Sequence, residues 1–230
     1  EFETSGSAAD IRVRNNQSQI LNSGDYDEIR LDSNATITMN SGAYRIRRLR
    51  TADNSQILLG GGVYWINRLQ LGSRATVNVL PGEAAIIHTN NMTTGTDSQI
   101  NLGGTPDTLS LFSRGQIQLS ANNTLNTFAY AAGNFRLGNN GQVRGAVNAA
   151  TLQLNSGARI TYADTELESY TAGGLCTIGE PAPEPVGHWP IDVCSLRGPD
   201  ASVIELIEGN DGLAINSPGT DSNGQFCQAA

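Results

Sequence analysis

Lysine is absent from this 230-residue chain, and all 14 of its basic side chains are arginine. That absence removes a phosphate-cradling loop ending in Gly-Lys, a Schiff-base lysine and a lysine-to-asparagine isopeptide crosslink. Histidine is almost absent as well. His88 and His188 lie in different parts of the chain with no evident nucleophile beside either, which argues against a triad. No apolar run approaches the roughly 18 residues of a membrane-spanning helix, so no membrane insertion is expected. Aromatic residues make up 6% and charged residues 16% of the chain. From Thr108 to Ala163 there is no acidic residue at all.

What the chain does have is a repeat. Between Ile11 and Leu154 an apolar pair two residues apart recurs eight times: Ile11/Val13, Ile29/Leu31, Leu49/Thr51, Leu69/Leu71, Met92/Thr94, Ile117/Leu119, Phe135/Leu137 and Leu152/Leu154. A further apolar residue follows in each unit: Ile20, Ile37, Ile57, Val77, Ile100, Leu125, Val143 and Ile160. The seven steps from residue 11 to residue 152 average about 20 residues, the period of stacked single-coil repeats. Spacing within a unit is two-fold, as in Leu69-x-Leu71, so the elements are short strands rather than helices. Gly, Asn, Ser and Asp sit between them and tolerate tight turns. A third marker, Gly42-x-Tyr44, Gly62-x-Tyr64 and Gly82 one period later, implies a third short strand per coil.

One such unit cannot bury its own apolar side, so the coils must stack. The expected fold is all-β: a single-stranded β-solenoid of about eight coils over residues 10–175, wound as a right-handed β-helix, after a flexible segment at 1–9. At roughly 4.8 Å per coil it would be a rod about 38 Å long. A β-sandwich also alternates, but has no reason to repeat the same turn residues in phase.

Residues 1–163 carry 11 acidic and 13 arginine side chains, a balance of +2; residues 164–230 carry 11 acidic side chains and only Arg197, a balance of −10. Arg45, Arg47, Arg48 and Arg50, with Arg30 and Arg68 one coil away, are expected to form a basic stripe. With few aromatics and a near-neutral rod, a solvated face or a dock for an acidic partner fits that stripe better than nucleic acid does. An acidic module at one end would also suit head-to-tail contact between copies.

Polysaccharide-cleaving β-helices set several carboxylates on adjacent coils. Here Asp25, Asp27, Glu28 and Asp32 form the only acidic cluster in the solenoid and share one coil. No enzyme, cofactor or metal site is expected. Glu208 and Asp211 flank a turn, but two carboxylates fall short of the roughly six oxygens calcium takes. Thr36, Thr38 and Thr76 do not continue into an ice-binding rank, and the sequons at Asn16, Asn34, Asn91 and Asn122 to Thr124 are expected to be turn residues.

After Tyr162 an acidic stretch leads to Cys176 and the run Glu180-Pro-Ala-Pro-Glu-Pro185, so residues 176–186 are expected to be a stiff linker. Residues 187–230 are too few for an ordinary independent domain without a staple. Cys194 and Cys227 lie in this module and are expected to supply a disulfide; Cys176 is left odd, a candidate thiol for joining another chain. The cysteines and the Gly-rich, low-charge composition point to secretion.

The segments Gly-His-Trp-Pro-Ile-Asp-Val-Cys from Gly187, Glu-Gly-Asn-Asp-Gly from Glu208 and Gly-Gln-Phe-Cys-Gln-Ala-Ala from Gly224 resemble the opening strands of concanavalin A-like, laminin G-type jelly rolls. Joined to a solenoid with Leu-Gly-Ser and Leu-Gly-Asn turns, they make the chain similar to MshQ-type proteins of the mannose-sensitive haemagglutinin pilus system. That resemblance implies a bacterial, cell-surface, pilus-associated protein of surface attachment, with pilus components, glycans or other copies of itself as partners. Such a jelly roll needs well over a hundred residues, so residues 187–230 would be only part of one, and the family's ligand-binding loops are not carried over.

Overall fold

The computed structural model describes residues 8–163 and two short strands at 202–203 and 212–213. Fifteen strands form one sheet in which every pairing is parallel. In chain order they are β1 (Ala9–Val13), β2 (Ser18–Leu21), β3 (Gly24–Leu31), β4 (Thr36–Met39), β5 (Gly42–Thr51), β6 (Gln56–Leu59), β7 (Gly62–Leu71), β8 (Thr76–Val79), β9 (Ala85–Thr94), β10 (Gln99–Ile100), β11 (Leu109–Ser113), β12 (Ile117–Leu119), β13 (Thr124–Leu137), β14 (Gln142–Leu154) and β15 (Arg159–Tyr162). The only helical piece among the described residues is a 3-10 turn at Pro106–Thr108. This is a parallel β-solenoid of about eight coils. Outside it, β16 (Ser202–Val203) and β17 (Gly212–Leu213) pair antiparallel.

Register follows the apolar repeat. Ile11, Ile29, Leu49, Leu69, Met92, Ile117, Phe135 and Leu152 stack as one row, inward as far as Phe135 and exposed at Leu152. A second row runs Ile37, Ile57, Val77, Ile100, Leu125, Val143 and Ile160. Its first member is not Ile20, as the spacing implies, but Gln19, which pairs with Ile37. Ile20 points outward and is 68% exposed, whereas Leu21 is buried. Among the described residues β2 ends this ladder, pairing on one side only, so a polar side chain at that place in the row costs little. The third ladder exists too, with Gly42 and Gly62 paired, but the residue beyond Gly62 is Ala85. Gly82 instead lies in a turn at φ +78°, because residues added at Pro81–Glu83 shift the phase.

A corner explains the turn composition. At this corner one residue per coil, namely Asn16, Asn34, Asn54, Arg74, Asp97, Asn122 and Asn140, takes the left-handed conformation with φ between 53° and 61°, and Gly157 ends the series at 69°; Asn101, at 56°, is a further left-handed residue elsewhere in the coil of Asp97. Asn and Asp tolerate that region because a short polar side chain bonds locally. Each backbone N–H then donates to a carbonyl of the next coil: Asn34 to Asp53, Asn54 to Ser73, Asn122 to Asn139. Arg74 is the exception in type, and its Nε donates to Asn54 Oδ1 at 2.7 Å.

Inside the N-terminal half stands a tyrosine pillar. Tyr44 and Tyr64 are fully buried, and their rings stack at 4.9 Å. The Tyr44 hydroxyl has the carbonyls of Asn40 (2.7 Å) and Leu21 (3.0 Å) within reach of its one proton, and the Tyr64 hydroxyl donates to that of Gly60. Burial pushes the Tyr44 phenol from 10.0 up to about 12, and Tyr64 is raised further, also by burial. A raised folded pKa contributes stability that is intact below the unfolded value and lost as pH climbs through the folded one. The pillar's contribution should therefore be intact up to pH 10, with the share of Tyr44 lost between 10 and about 12 and that of Tyr64 lost at higher pH still. Urea midpoints measured across that range check this, and a flat profile would contradict the pillar's burial.

Candidate functional site

Arg45, Arg47, Arg48 and Arg50 all lie on β5, with Arg30 on β3 and Arg68 on β7. Stacking brings Arg30 beside Arg50 and Arg48 beside Arg68. It also lays the acidic cluster of β3 against them. Arg45 meets Asp25 (3.6 Å), Arg48 meets Glu28 (3.7 Å), Arg50 meets Glu28 (2.6 Å), and Asp32 takes both Arg12 (2.8 Å) and Arg30 (3.3 Å). Arg47 donates to Asp27 from both Nε and Nη2, the Nη2 contact at 2.6 Å. A hydrogen bond from Arg47 holds the Asp27 carboxyl below its usual value, and one from Arg12 does the same for Asp32. The patch is thus a ladder of opposite charges joining coils. Each of its four carboxylates already has a cation. Such exposed pairs are each worth roughly 0–1 kcal/mol.

A second column runs along another outer face. Trp65, His88, Phe112 and Tyr130 occupy successive coils in one register. Trp65 and His88 stack at 4.1 Å with ring planes 12° apart, and His88 and Phe112 at 5.3 Å and 20°. Burial under these rings lowers the His88 pKa, with Arg114 adding in the same direction, so the imidazole is neutral near neutral pH. The stack ends there: Tyr130 turns 43% of its surface to solvent. On one side of it lies an open cleft of about 360 Å³ lined by His88, Phe112, Ser113 and Arg114. On the other lies one of about 280 Å³ lined by Phe112, Phe128, Val147 and Asn148. Sequence reading missed this column because its members are separated by three different intervals, with Pro81–Glu83 and the loop before Leu109 breaking the period.

The last of the described coils carries a third surface. Leu152, Leu154 and Tyr162 are 49%, 44% and 60% exposed. Cys176, Cys194 and Cys227, with the linker and the rest of the C-terminal module, lie outside the described residues.

Fold and surfaces together define a repetitive β-solenoid whose outer faces carry an ion-pair ladder and an aromatic column. Residues 35–157, wholly within that solenoid, match the family described as a domain of unknown function, DUF8470, and the chain belongs to it. No curated protein and no solved structure matches.

Proposed function

We propose that the chain is a non-enzymatic structural protein of the bacterial cell surface, its solenoid acting as the stalk of a pilus-associated surface-attachment protein. The observation that carries this reading is the unbroken parallel ladder from β1 to β15 around one continuous apolar core. Each coil pairs strand to strand only with its neighbours along the ladder, so the assembly is a stiff rod whose length scales with coil number. In this reading residues 187–230 form part of a lectin-like jelly roll stapled by Cys194 and Cys227, held away from the cell. Pilus components are its partners, and glycans are bound through the jelly roll.

The exposed Leu152, Leu154 and Tyr162 favour one second reading. An open coil edge invites another copy, and head-to-tail joining sealed by Cys176 would make a filament. Negative-stain microscopy over a concentration series, beside a version ending at Leu175, separates the two. Short single rods from both chains support the stalk. Filaments from the full chain but not the shorter one would replace it with a fibre subunit.

A further inference from the structure

We propose that the aromatic column is itself a binding site, taking an acidic oligosaccharide built from uronate residues and seated around Tyr130. This goes beyond the stalk reading, in which the rod is passive, and does not depend on it.

Three observations converge. First, the column offers ring surface in the open. Tyr130 stands as a ridge between two clefts, with Phe112 shared by both. Sugar rings present C–H faces that pack on aromatic surface, while aromatic rings with a polar handle suit sites that are apolar at one end and wet at the other. Second, polar groups fringe that surface: the neutral His88 ring, the Tyr130 hydroxyl and Asn148 can exchange hydrogen bonds with hydroxyls. Third, the charge has one sign. Between Thr108 and Ala163 the only charged side chains are Arg114, Arg136, Arg144 and Arg159. Arg114 lines the larger cleft. A guanidinium fork pairs with a carboxylate more strongly than with any neutral acceptor.

An apolar ring face and a carboxylate on the same small unit are what a uronate supplies. A peptide must spread these over two residues and would find no deep pocket to bury a side chain. The coil rise of about 4.8 Å is close to the length of one pyranose unit, so consecutive sugars along the rod would meet consecutive coils. The field of the arginine-only half then favours the charged polymer over a neutral one.

The test is calorimetric titration of the full chain with oligogalacturonate and with oligomannuronate, beside neutral malto-oligosaccharide of equal length. At least one uronate should bind, weakening as salt is added, and the neutral sugar should not. Tyr130→Ala and Arg114→Gln should each weaken binding by about tenfold. Tyr162→Ala, at an exposed tyrosine elsewhere, should bind like the parent chain. Circular dichroism confirms that each variant folds; if Tyr130→Ala does not, Arg114→Gln decides. The proposal is overturned by no binding of either uronate, by equal binding of neutral sugar, or by unchanged affinity in a folded Tyr130 or Arg114 variant. Sedimentation velocity covers the rival occupant. Self-association of the parent chain that Tyr130→Ala abolishes would assign this face to a second copy and also overturn it.

Discussion

Gly62→Ala is expected to destabilise the solenoid by about 3 kcal/mol or more, lowering the melting temperature by roughly 10 °C. Gly62 opens β7 at φ +139°, a backbone conformation that L side chains rarely adopt. An added Cβ would also lie well inside contact distance of the Gly42 carbonyl, in the coil below. The two costs are separate. Relieving the backbone alone costs one ladder position, because Gly42 and Gly62 are paired directly. Moving the carbonyl instead disturbs Gly42, itself at φ +147° and donating its N–H to the Gly61 carbonyl. Neither neighbour is a flexible side chain able to swing aside. A matched comparison isolates the cause: a Cβ on Gly103 meets nothing within 4 Å, and Gly103→Ala should change stability by less than about 0.5 kcal/mol. Thermal melts of the two variants beside the parent chain decide it. Equal melting temperatures for Gly62→Ala and Gly103→Ala would refute the close approach of coils at this corner.

The same stacking explains which parts of the molecule were legible beforehand. The leading members of all eight apolar pairs found by two-fold spacing lie in register, since an inward position faces the same demand from the coil on either side. Ile20 shows where that logic fails. Composition suggests it belongs inside, yet strand parity puts Gln19 and Leu21 there, on a strand that has one ladder neighbour among the described residues and so penalises the mismatch little. Gly82 fails for another reason, since a three-residue insertion moves the chain's phase without altering its pattern of residue types. The charge ladder was half visible: Asp25 to Asp32 read as an acidic cluster and Arg45 to Arg50 as a basic stripe. Their union follows only from knowing that Asp27 faces Arg47 and Asp32 faces Arg12, one coil apart. The aromatic column had no local signature at all. Four residues at irregular intervals become neighbours only after the insertions are looped out of the coil.

Asn123→Ala sets two arguments against each other, and hydrogen-bond accounting should win. By position Asn123 belongs to a buried row of small residues, Ala35, Ser55, Ala75, Ser98 and Gly141, each lending its carbonyl to the next coil. Alanine is native at two of those places, so repeat consensus predicts that Asn123→Ala is harmless. The contacts say otherwise. Asn123 is fully buried, its Oδ1 accepts the Ser98 backbone N–H at 2.7 Å, and its Nδ2 donates to Thr94 Oγ1 at 2.7 Å and to the Ser120 carbonyl at 2.9 Å. In the coil of Ala35 the equivalent N–H donates to the carbonyl of Asp32, three residues back, so no side chain from above is needed. At Ser98 the side chain of the next coil has taken that role. Truncation would strand a buried donor and a buried acceptor, each costing about 1–3 kcal/mol, and leave a void too small to be filled cheaply by water. The expected loss is about 3 kcal/mol, read from urea unfolding, with local amide exchange rising first at Ser98. A loss under roughly 0.5 kcal/mol would mean the corner relaxes to the Ala35 pattern. The coils would then be interchangeable modules, and the side-chain bond between them would have no weight in holding the rod together.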